Sequence, residues 1–183
     1  MMACVSRAVE PSVELRHIVI VGGSLDEWNA LADVEWRERI AEFAKVAEHT
    51  GAAWLTLRPL DRITPPHGGI PASITRVGRC TVVVDPQTDG RERLVGAVNA
   101  LRRDRRAITD TNVAEVVNAP SPCDPDLAII LGPDNELPST LVWELAYCEL
   151  VYLDVSWTDL HGSHLEVAVA EFAGRHRRFG GLD

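Results

Sequence analysis

The feature that most constrains the fold is a short apolar run from Leu127 to Leu131, LAIIL. Its length and its β-branched residues are typical of a buried strand in a parallel sheet. Gly132-Pro133 ends the run. Beyond it, apolar and helix-favouring residues recur at helical spacing, with Ser139 or Thr140 as the N-cap: Val142, Leu145, Ala146, Glu149 and Leu150. This pattern predicts strand, loop and helix, with the loop at the carboxyl end of the strand, where open α/β sheets bind ligands.

The rest of the chain alternates between strand and helix patterns. Apolar runs predict core strands at 16–21, 52–57 and 80–84, and a short edge strand at 70–77. Amphipathic periodicity predicts helices at about 33–49, 90–105 and 110–118, and a last helix capped by Ser163 and Glu166. Because parallel neighbours require right-handed crossovers, we predict an α/β fold, a single domain with a mostly parallel β-sheet flanked by helices.

Length and composition fit one globular domain. The chain has 183 residues, of which 46% are hydrophobic and 25% charged. Residues 1–14 lack periodicity and include Pro11, which predicts a flexible N-terminal tail before a domain at 15–183. The formal net charge of −9 argues against a nucleic-acid surface, because phosphate binding depends on clustered Lys and Arg.

Neither a membrane span nor an exported disulfide scaffold is indicated. No apolar run approaches the roughly 20 residues that cross a bilayer, and the N-terminus lacks the apolar core of a signal peptide. Cys4, Cys80, Cys123 and Cys148 are scattered without a CxxC pair, which favours reduced thiols over disulfides or zinc. We therefore expect a cytoplasmic protein with no transmembrane segment.

A set of residues in the stretch from Asp126 to Leu160 carries a resemblance to a known family. Arg177-Arg178-Phe179-Gly180-Gly181, near the C-terminus, belongs to the same set. Within the stretch, the set consists of Asp126, Leu127, Leu141, Trp143, Ala146, Tyr147, Glu149, Leu150, Asp154, Val155, Trp157 and Asp159. It resembles the cis-prenyltransferases, which make polyprenyl diphosphates. The segment at 123–133 is most similar to the Nogo-B receptor type of subunit, the non-catalytic half of heteromeric cis-prenyltransferases. The resemblance implies a shortened form of that fold, with much of the helical tunnel wall between Leu57 and Cys80 missing.

The resemblance places the family's first catalytic motif after the first strand, where His17 and Trp28 match it. Gly23 stands where the family has the aspartate that holds magnesium and the allylic diphosphate, and Glu27 replaces an arginine. A magnesium diphosphate needs a carboxylate for the metal and cations or N–H groups for the phosphates. Gly22, Gly23 and Ser24 retain N–H groups that favour residual anion binding, but Asp26 and Glu27 add negative charge beside them.

The second motif has also lost its charge. Ile130, Glu136 and Pro138 occupy positions at which the resemblance implies arginine, arginine and serine. Arg91, in Gly90-Arg91, keeps part of a Gly-Gly-Arg turn and is either a solvated residue of a first helical turn or a residual anion ligand. We predict no catalytic residues, no metal and no cofactor in this chain, and expect magnesium in a partner's active site.

Two further features predict an assembly. Arg178-Phe179-Gly180 matches the Arg-x-Gly motif that, in the family, reaches across a dimer to the neighbour's diphosphate; a frayed basic end is the alternative. Glu149 matches a glutamate of the family's subunit interface. The apolar surplus of the predicted helix also favours an interface, formed by Trp143, Tyr147, Leu150, Val151 and Tyr152.

Together these features predict a catalytically inactive accessory subunit of a hetero-oligomeric polyprenyl diphosphate synthase. It would complete the partner's diphosphate site, meet isoprenyl diphosphates only through the complex, lie peripheral to the membrane through that complex, and form a homodimer when isolated. Two alternatives stay open. One is a diverged prenyl or terpenoid transferase with magnesium at Asp26, Asp134 or Glu136, and the other is a structural or lipid-binding homodimer.

Overall fold

A computed structural model describes residues 14–60, 70–133 and 137–179, with side chains up to residue 175. The described strands are β1 His17–Val21, β2 Trp54–Arg58, β3 Ser73–Val77, β4 Cys80–Val84, β5 Leu127–Leu131 and β6 Glu149–Leu153. The helices are α1 Leu25–Ala30, α2 Asp33–His49, α3 Gly90–Arg103, α4 Asp110–Asn118 and α5 Gly162–Phe179. Two 3₁₀ turns, Ser139–Leu141 and Glu144–Ala146, precede β6.

The six described strands form one sheet in the order β3-β4-β2-β1-β5-β6. Every neighbouring pair is parallel except β3 and β4, which form an antiparallel hairpin at one edge. Gly78, at φ 58°, supplies the left-handed conformation that this turn requires. The mostly parallel α/β sheet predicted from the alternating pattern is confirmed.

The core fills both faces of the sheet. Ile18 and Ile20 of β1 contribute to a cluster that also holds Phe43 of α2 and Phe172 of α5, whereas Val19 belongs to a cluster on the other face. This division follows from the two-residue period of a strand. All five residues of β1 are buried, and accordingly Ile18 to Val21 are apolar without a break instead of alternating with polar residues.

The helix predicted from Ser139 to about Leu150 is wrong. After the two 3₁₀ turns, Glu149–Leu153 forms β6, which pairs in parallel with β5. Val142 and Leu145, expected on a buried helical face, are each 38% exposed, and Glu144 is fully buried. The side chains that are buried in this segment are therefore not those of the apolar face of the predicted helix.

The predictions for the two chain ends lie largely outside the described residues. The predicted tail at 1–14 lies outside the described residues except for Glu14. At the other end, α5 continues to Phe179, so the backbone of Arg178 and Phe179 is helical, whereas Gly180 and both side chains are not described. Within the described residues, no helix combines the length and the apolar character needed to cross a membrane.

A buried histidine links β1 to β2 and to the segment before β5 by hydrogen bonds at the amino end of the sheet. His17 is 2% exposed; its Nδ1 lies 3.2 Å from the Cys123 carbonyl oxygen and its Nε2 lies 2.9 Å from Thr56 Oγ1. Because a carbonyl only accepts, Nδ1 carries the proton and Nε2 accepts from the threonine hydroxyl. Burial lowers the pKa of His17 to about 4, although the Cys123 carbonyl opposes that shift. The ring is therefore neutral at pH 7.

Because His17 is buried in its neutral form, we expect the free energy of unfolding to fall at acidic pH. Its pKa rises from about 4 in the folded chain to its ordinary value of about 6.5 on unfolding, so the unfolded chain binds more protons between these values. The free energy of unfolding should fall by roughly 2 to 3 kcal/mol between pH 7.5 and pH 4.5. Urea unfolding at both pH values measures this loss. His17→Asn should show a clearly smaller loss, and an equal loss in both proteins would contradict the assignment.

Candidate functional site

The candidate site lies at the carboxyl edge of the sheet, between β1 and β5. From β1 the chain crosses to β2 on one side, and after β4 it returns to place β5 on the other side of β1. The sheet therefore changes direction at this pair of strands, and open α/β sheets bind ligands at such a point. Gly22-Gly23-Ser24 follows β1 and Gly132 follows β5, so two glycine-containing loops meet here.

A cavity of about 300 Å³ opens between these loops. Its walls come from the loops after β1, β2, β5 and β6: Gly23, Ser24, Glu27, Leu60, Leu131, Gly132, Val155, Ser156 and Trp157. Most of these side chains are apolar, and Glu27 is the one charged residue among them. The cavity is thus suited to an uncharged or cationic group better than to an anion.

Gly23 has no room for a side chain. Its φ is 72°, a conformation that favours glycine, and a Cβ atom there would lie 2.6 to 2.9 Å from the Cγ, Cβ and Cδ1 atoms of Trp157. Gly22 is also enclosed, because a Cβ on it would lie 2.3 Å from Leu131 Cδ1. The structure therefore accommodates glycine, and not aspartate, at the position where the resemblance implies the magnesium ligand.

Ser24 and Glu27 form a reciprocal cap on α1. The Ser24 backbone N–H donates to Glu27 Oε2 at 2.7 Å, and the Glu27 backbone N–H donates to Ser24 Oγ at 3.1 Å. The Ser24 N–H, which was predicted to favour anions, is thus bonded to a carboxylate of the same chain, and that carboxylate lies where a phosphate would bind. The loop does not fit an anion, which argues against residual anion binding at Ser24.

The described residues do not fit a magnesium ion at this site. Asp26, an alternative metal ligand, is exposed on the first turn of α1, and Glu27 is engaged in the cap. Asp134 and Glu136 lie outside the described residues. Across the described part of the chain, no group of three or more His, Cys, Asp or Glu side chains is arranged to hold a metal.

Ile130 and Arg91 are not brought into the cavity. Ile130 is 3% exposed and packs with Val19, Val21 and Leu141 on one face of the sheet, so it serves the core. Arg91 is exposed on the first turn of α3, after β4, and β2 separates β4 from β1. The predicted grouping of Arg91 with the glycine loop is therefore not supported by the described geometry.

Sequence reasoning missed a buried cluster of four charges at the same edge of the sheet. Arg58 Nε lies 3.0 Å from Asp85 Oδ2, and Arg58 Nη1 lies 2.5 Å from Glu144 Oε1. Arg93 Nη2 lies 2.6 Å from the same Glu144 oxygen. The Glu144 side chain is fully buried and that of Arg58 is 5% exposed. No sequence signal joins these residues, because they come from β2, the end of β4, α3 and a 3₁₀ turn.

The charges in this cluster hold Glu144 ionised. Burial alone would raise the pKa of Glu144, but attraction to Arg58 and Arg93 lowers it below the ordinary value of glutamate. The cluster ties the segment at 139–147 to the ends of β2 and β4. That segment carries Trp143 and Tyr147, so the cluster fixes the backbone of the predicted interface.

The predicted interface residues fall into two groups. Trp143 and Tyr147 belong to the 3₁₀ segment, with ring centroids 5.6 Å apart, and Tyr147 is 54% exposed. Glu149, Leu150, Val151 and Tyr152 belong to the edge strand β6. Val151 is fully buried in this chain's own core, so it cannot line an interface, whereas the other three are partly exposed.

A groove of about 440 Å³ runs beside Trp143 and Tyr147. Its apolar walls also include Ala114 and Pro122, and its rim carries three carboxylates, those of Asp110, Glu115 and Asp124. Asp124 Oδ1 accepts from Trp143 Nε1 at 3.1 Å and from Asn118 Nδ2 at 2.6 Å. This surface combines an exposed tyrosine and a half-buried tryptophan with an acidic rim, which is typical of protein interfaces that take a basic partner.

A third cavity of about 540 Å³ lies between the two N-terminal helices and the edge formed by β3 and β4. Trp28, Leu31, Trp36, Ile40, Ile70 and Val84 supply its apolar wall.

Comparisons with known proteins agree with the fold. The family model described as "Putative undecaprenyl diphosphate synthase" matches residues 72–180. Isoprenyl transferase 2 of Bradyrhizobium diazoefficiens is 38% identical over 111 residues, which are 57% of this chain and 44% of that protein. An isoprenyl transferase of Neisseria meningitidis is 34% identical over 101 residues, which are 55% of this chain and 41% of that protein. The chain thus spans less than half the length of these curated relatives.

A solved structure shows the same fold. The crystal structure of a probable undecaprenyl diphosphate synthase from Campylobacter jejuni superposes with a TM-score of 0.58 at 13% identity, covering 87% of this chain and 95% of that one. The family model covers more than half of this chain. The chain therefore belongs to the undecaprenyl diphosphate synthase, or cis-prenyltransferase, family.

Proposed function

We propose that this chain is a catalytically silent member of its family that acts as an accessory subunit of a hetero-oligomeric polyprenyl diphosphate synthase. The observation that carries the proposal is Gly23, where a positive φ and the Trp157 ring leave no space for the metal-binding aspartate. The cap between Ser24 and Glu27 supports it, because a carboxylate replaces a phosphate-binding cation. Ile130 supports it as well, since it is a buried core residue at a second position where the resemblance implies a cation.

The proposed partner is a catalytic cis-prenyltransferase subunit that supplies the aspartate, the magnesium and the cations. It would bind the face formed by Trp143, Tyr147 and the free edge of β6. Edge strands present unpaired backbone groups, which makes them suited to pairing with another chain. At this edge the Leu150 carbonyl already accepts from Arg175 Nη1 at 2.6 Å. The acidic rim of the groove favours a partner with basic residues at the matching positions.

The tail provides the proposed contact with substrate. Arg178-Phe179-Gly180, at the end of α5, would reach the partner's diphosphate, as the resemblance implies. A guanidinium is suited to that role, because its planar donors match two phosphate oxygens at once. This chain would thus meet isoprenyl diphosphates only through the complex, and isolated it would form a homodimer through the same face.

The test mixes this chain with a full-length homologue that keeps the aspartate and arginine motifs, and measures assembly and turnover separately. Arg178→Ala should leave assembly unchanged and lower kcat/KM. One charge-assisted hydrogen bond contributes roughly 1.5 to 3 kcal/mol, so the loss should be about one to two powers of ten. A chain ending at Arg177 should behave similarly. Full turnover with both variants would contradict the role of the tail.

The second arm of the experiment concerns the face. Tyr147→Asp places a charge on the proposed interface, where Tyr147 is 54% exposed in the isolated chain. The variant should fold normally and assemble poorly, because an unpaired charge buried by association is unfavourable. Val34→Asp is a matched control, since Val34 is 50% exposed on α2, away from this face. Equal assembly by both variants would show that the partner binds elsewhere.

One observation favours a second candidate, a lipid-binding homodimer. The cavity of about 540 Å³ beside Trp28 and Trp36 has the apolar wall that a lipid chain requires. If the chain stays a homodimer in the mixing experiment and leaves the turnover of the homologue unchanged, this candidate replaces the accessory subunit.

A further inference from the structure

The last described turns of α5 end beside the groove that Trp143 and Tyr147 line. Arg175 Nη1 lies 2.6 Å from the Leu150 carbonyl oxygen and 3.6 Å from Glu149 Oε2, both at the start of β6. The helix therefore runs back along β6 and reaches the amino end of that strand. Tyr147, in the wall of the groove, precedes Glu149 by two residues. The end of α5 and the groove thus adjoin at this corner of the sheet.

The next position on the same face of α5 is that of Arg178. Residues three apart lie on one face of a helix, and the backbone of α5 is helical to Phe179. Three residues advance a helix by about 4.5 Å, which corresponds to between one and two residues of a strand. Position 178 is therefore level with residues 147 and 148, just before the start of β6. Position 177 lies on a different face of the helix.

The groove has the charge and the aromatic surface that suit a guanidinium group. Its described lining contains three carboxylates and no Lys, Arg or His. The described hydrogen bonds to Asp124, from Trp143 Nε1 at 3.1 Å and from Asn118 Nδ2 at 2.6 Å, both use Oδ1, so Oδ2 can accept from a further donor. The exposed ring of Tyr147 offers a face on which a guanidinium stacks well. One arginine can therefore pair with Asp124 and stack on Tyr147.

We infer that, in the chain without a catalytic partner, the basic tail docks on this groove of its own chain, with Arg178 paired to Asp124 and stacked on Tyr147. Residues 175–178 hold three arginines and one histidine in a chain of net charge −9, so the tail and the acidic rim are complementary. The inference concerns the chain by itself and does not depend on the accessory role. For that role, the docked tail is a resting position that the partner displaces, because exposed ion pairs are weak.

The Trp143 Nε1–H group reports on this contact, because it donates to the same Asp124 carboxylate. Its resonance in ¹⁵N NMR spectra of the full chain is assigned by its loss in Trp143→Phe. A guanidinium on the other carboxylate oxygen weakens the bond from Trp143, so Arg178→Gln should move the resonance downfield. Arg177→Gln removes the same charge from a different face of the helix and should move it several-fold less. No movement in Arg178→Gln, or equal movement in both variants, would overturn the inference.

Two further arms identify the acceptor and the source of the tail. Asp124→Asn keeps an oxygen to accept from Trp143 and removes the charge, so adding Arg178→Gln to it should move the resonance little. An undiminished movement would refute the pairing, and the comparison of Arg178 with Arg177 stays informative if Asp124→Asn fails to fold. Excess unlabelled wild-type chain should leave the resonance of ¹⁵N-labelled Arg178→Gln in place. Its return to the wild-type position would show that the tail of a second copy occupies the groove, which would overturn docking within one chain.

Discussion

Glu144→Ala is expected to lower the free energy of unfolding by about 3 to 5 kcal/mol, the usual effect of removing one partner from a buried ion pair. Glu144 accepts from Arg58 Nη1 at 2.5 Å and from Arg93 Nη2 at 2.6 Å through the same oxygen. Without it, two guanidinium groups whose side chains are 5% and 12% exposed share Asp85 as their remaining acid in the cluster. Urea unfolding followed by far-UV circular dichroism measures the change.

Glu149→Ala is the matched control for this prediction. Glu149 is also paired with an arginine, with Oε2 3.6 Å from Arg175 Nη1, but its side chain is 40% exposed. Exposed pairs contribute about 0 to 1 kcal/mol, so this variant should remain close to the wild-type stability. A comparable loss in both variants, or a loss below about 1 kcal/mol for Glu144→Ala, would show that the cluster does not stabilise the fold as argued.

Gly23→Asp is expected to destabilise the chain by about 2 to 5 kcal/mol and to confer no prenyltransferase activity. A residue with a Cβ in the left-handed region costs about 1 to 2 kcal/mol, and overpacking a core costs about 1 to 3 kcal/mol. Both penalties apply here, because φ is 72° and the new Cβ would lie 2.6 Å from Trp157 Cγ. Chemical unfolding measures the loss of stability, and isoprenyl transfer by the lone chain measures activity.

Gly96→Asp provides the control for the glycine substitution. Gly96 lies in α3, and a Cβ on it would meet no atom within 4 Å, so the same change should alter stability by no more than about 0.5 kcal/mol. Pairing Gly23→Asp with Glu27→Arg restores the two charged residues that the resemblance implies for the first motif. Turnover by that double variant alone would show that the site was lost through these two residues only, and would favour a diverged transferase over an accessory subunit.

Local sequence patterns predicted most of the sheet and its helices. The strand at 80–84 and the helix at 110–118 have the predicted bounds, because residues that typically begin or end such elements flank each of them. Cys80–Val84 is a β-branched run ending at Asp85-Pro86, and Thr109 caps α4 by accepting from the Asn112 N–H at 3.2 Å. The helix α1 was missed, although Ser24 and Glu27 have the spacing of a capping box and would have revealed it.

The segment at 139–150 shows where such patterns fail. Its apolar spacing predicts a helix, yet the chain turns twice in 3₁₀ geometry and then enters the sheet. Two long-range contacts override the local preference. Glu144 is drawn into the cluster with Arg58 and Arg93, and Glu149–Leu153 gains backbone hydrogen bonds by pairing with β5. Neither partner lies within a helical turn of the segment along the sequence. The local spacing of apolar residues therefore carries no information about these long-range contacts.

The fold class and the loss of the expected charges could be predicted from residue identities, because apolar runs, capping residues and the identities of Gly23, Glu27 and Ile130 are local properties. The physical consequence of those replacements follows only from contacts between distant parts of the chain. The Trp157 ring, from a distant loop, closes the space beside Gly23, and the Glu27 carboxylate folds back onto Ser24. The buried cluster of Arg58, Asp85, Arg93 and Glu144 is likewise visible only in the folded chain. Its ion pairs depend on distances in space, which the spacing of these residues along the sequence does not encode.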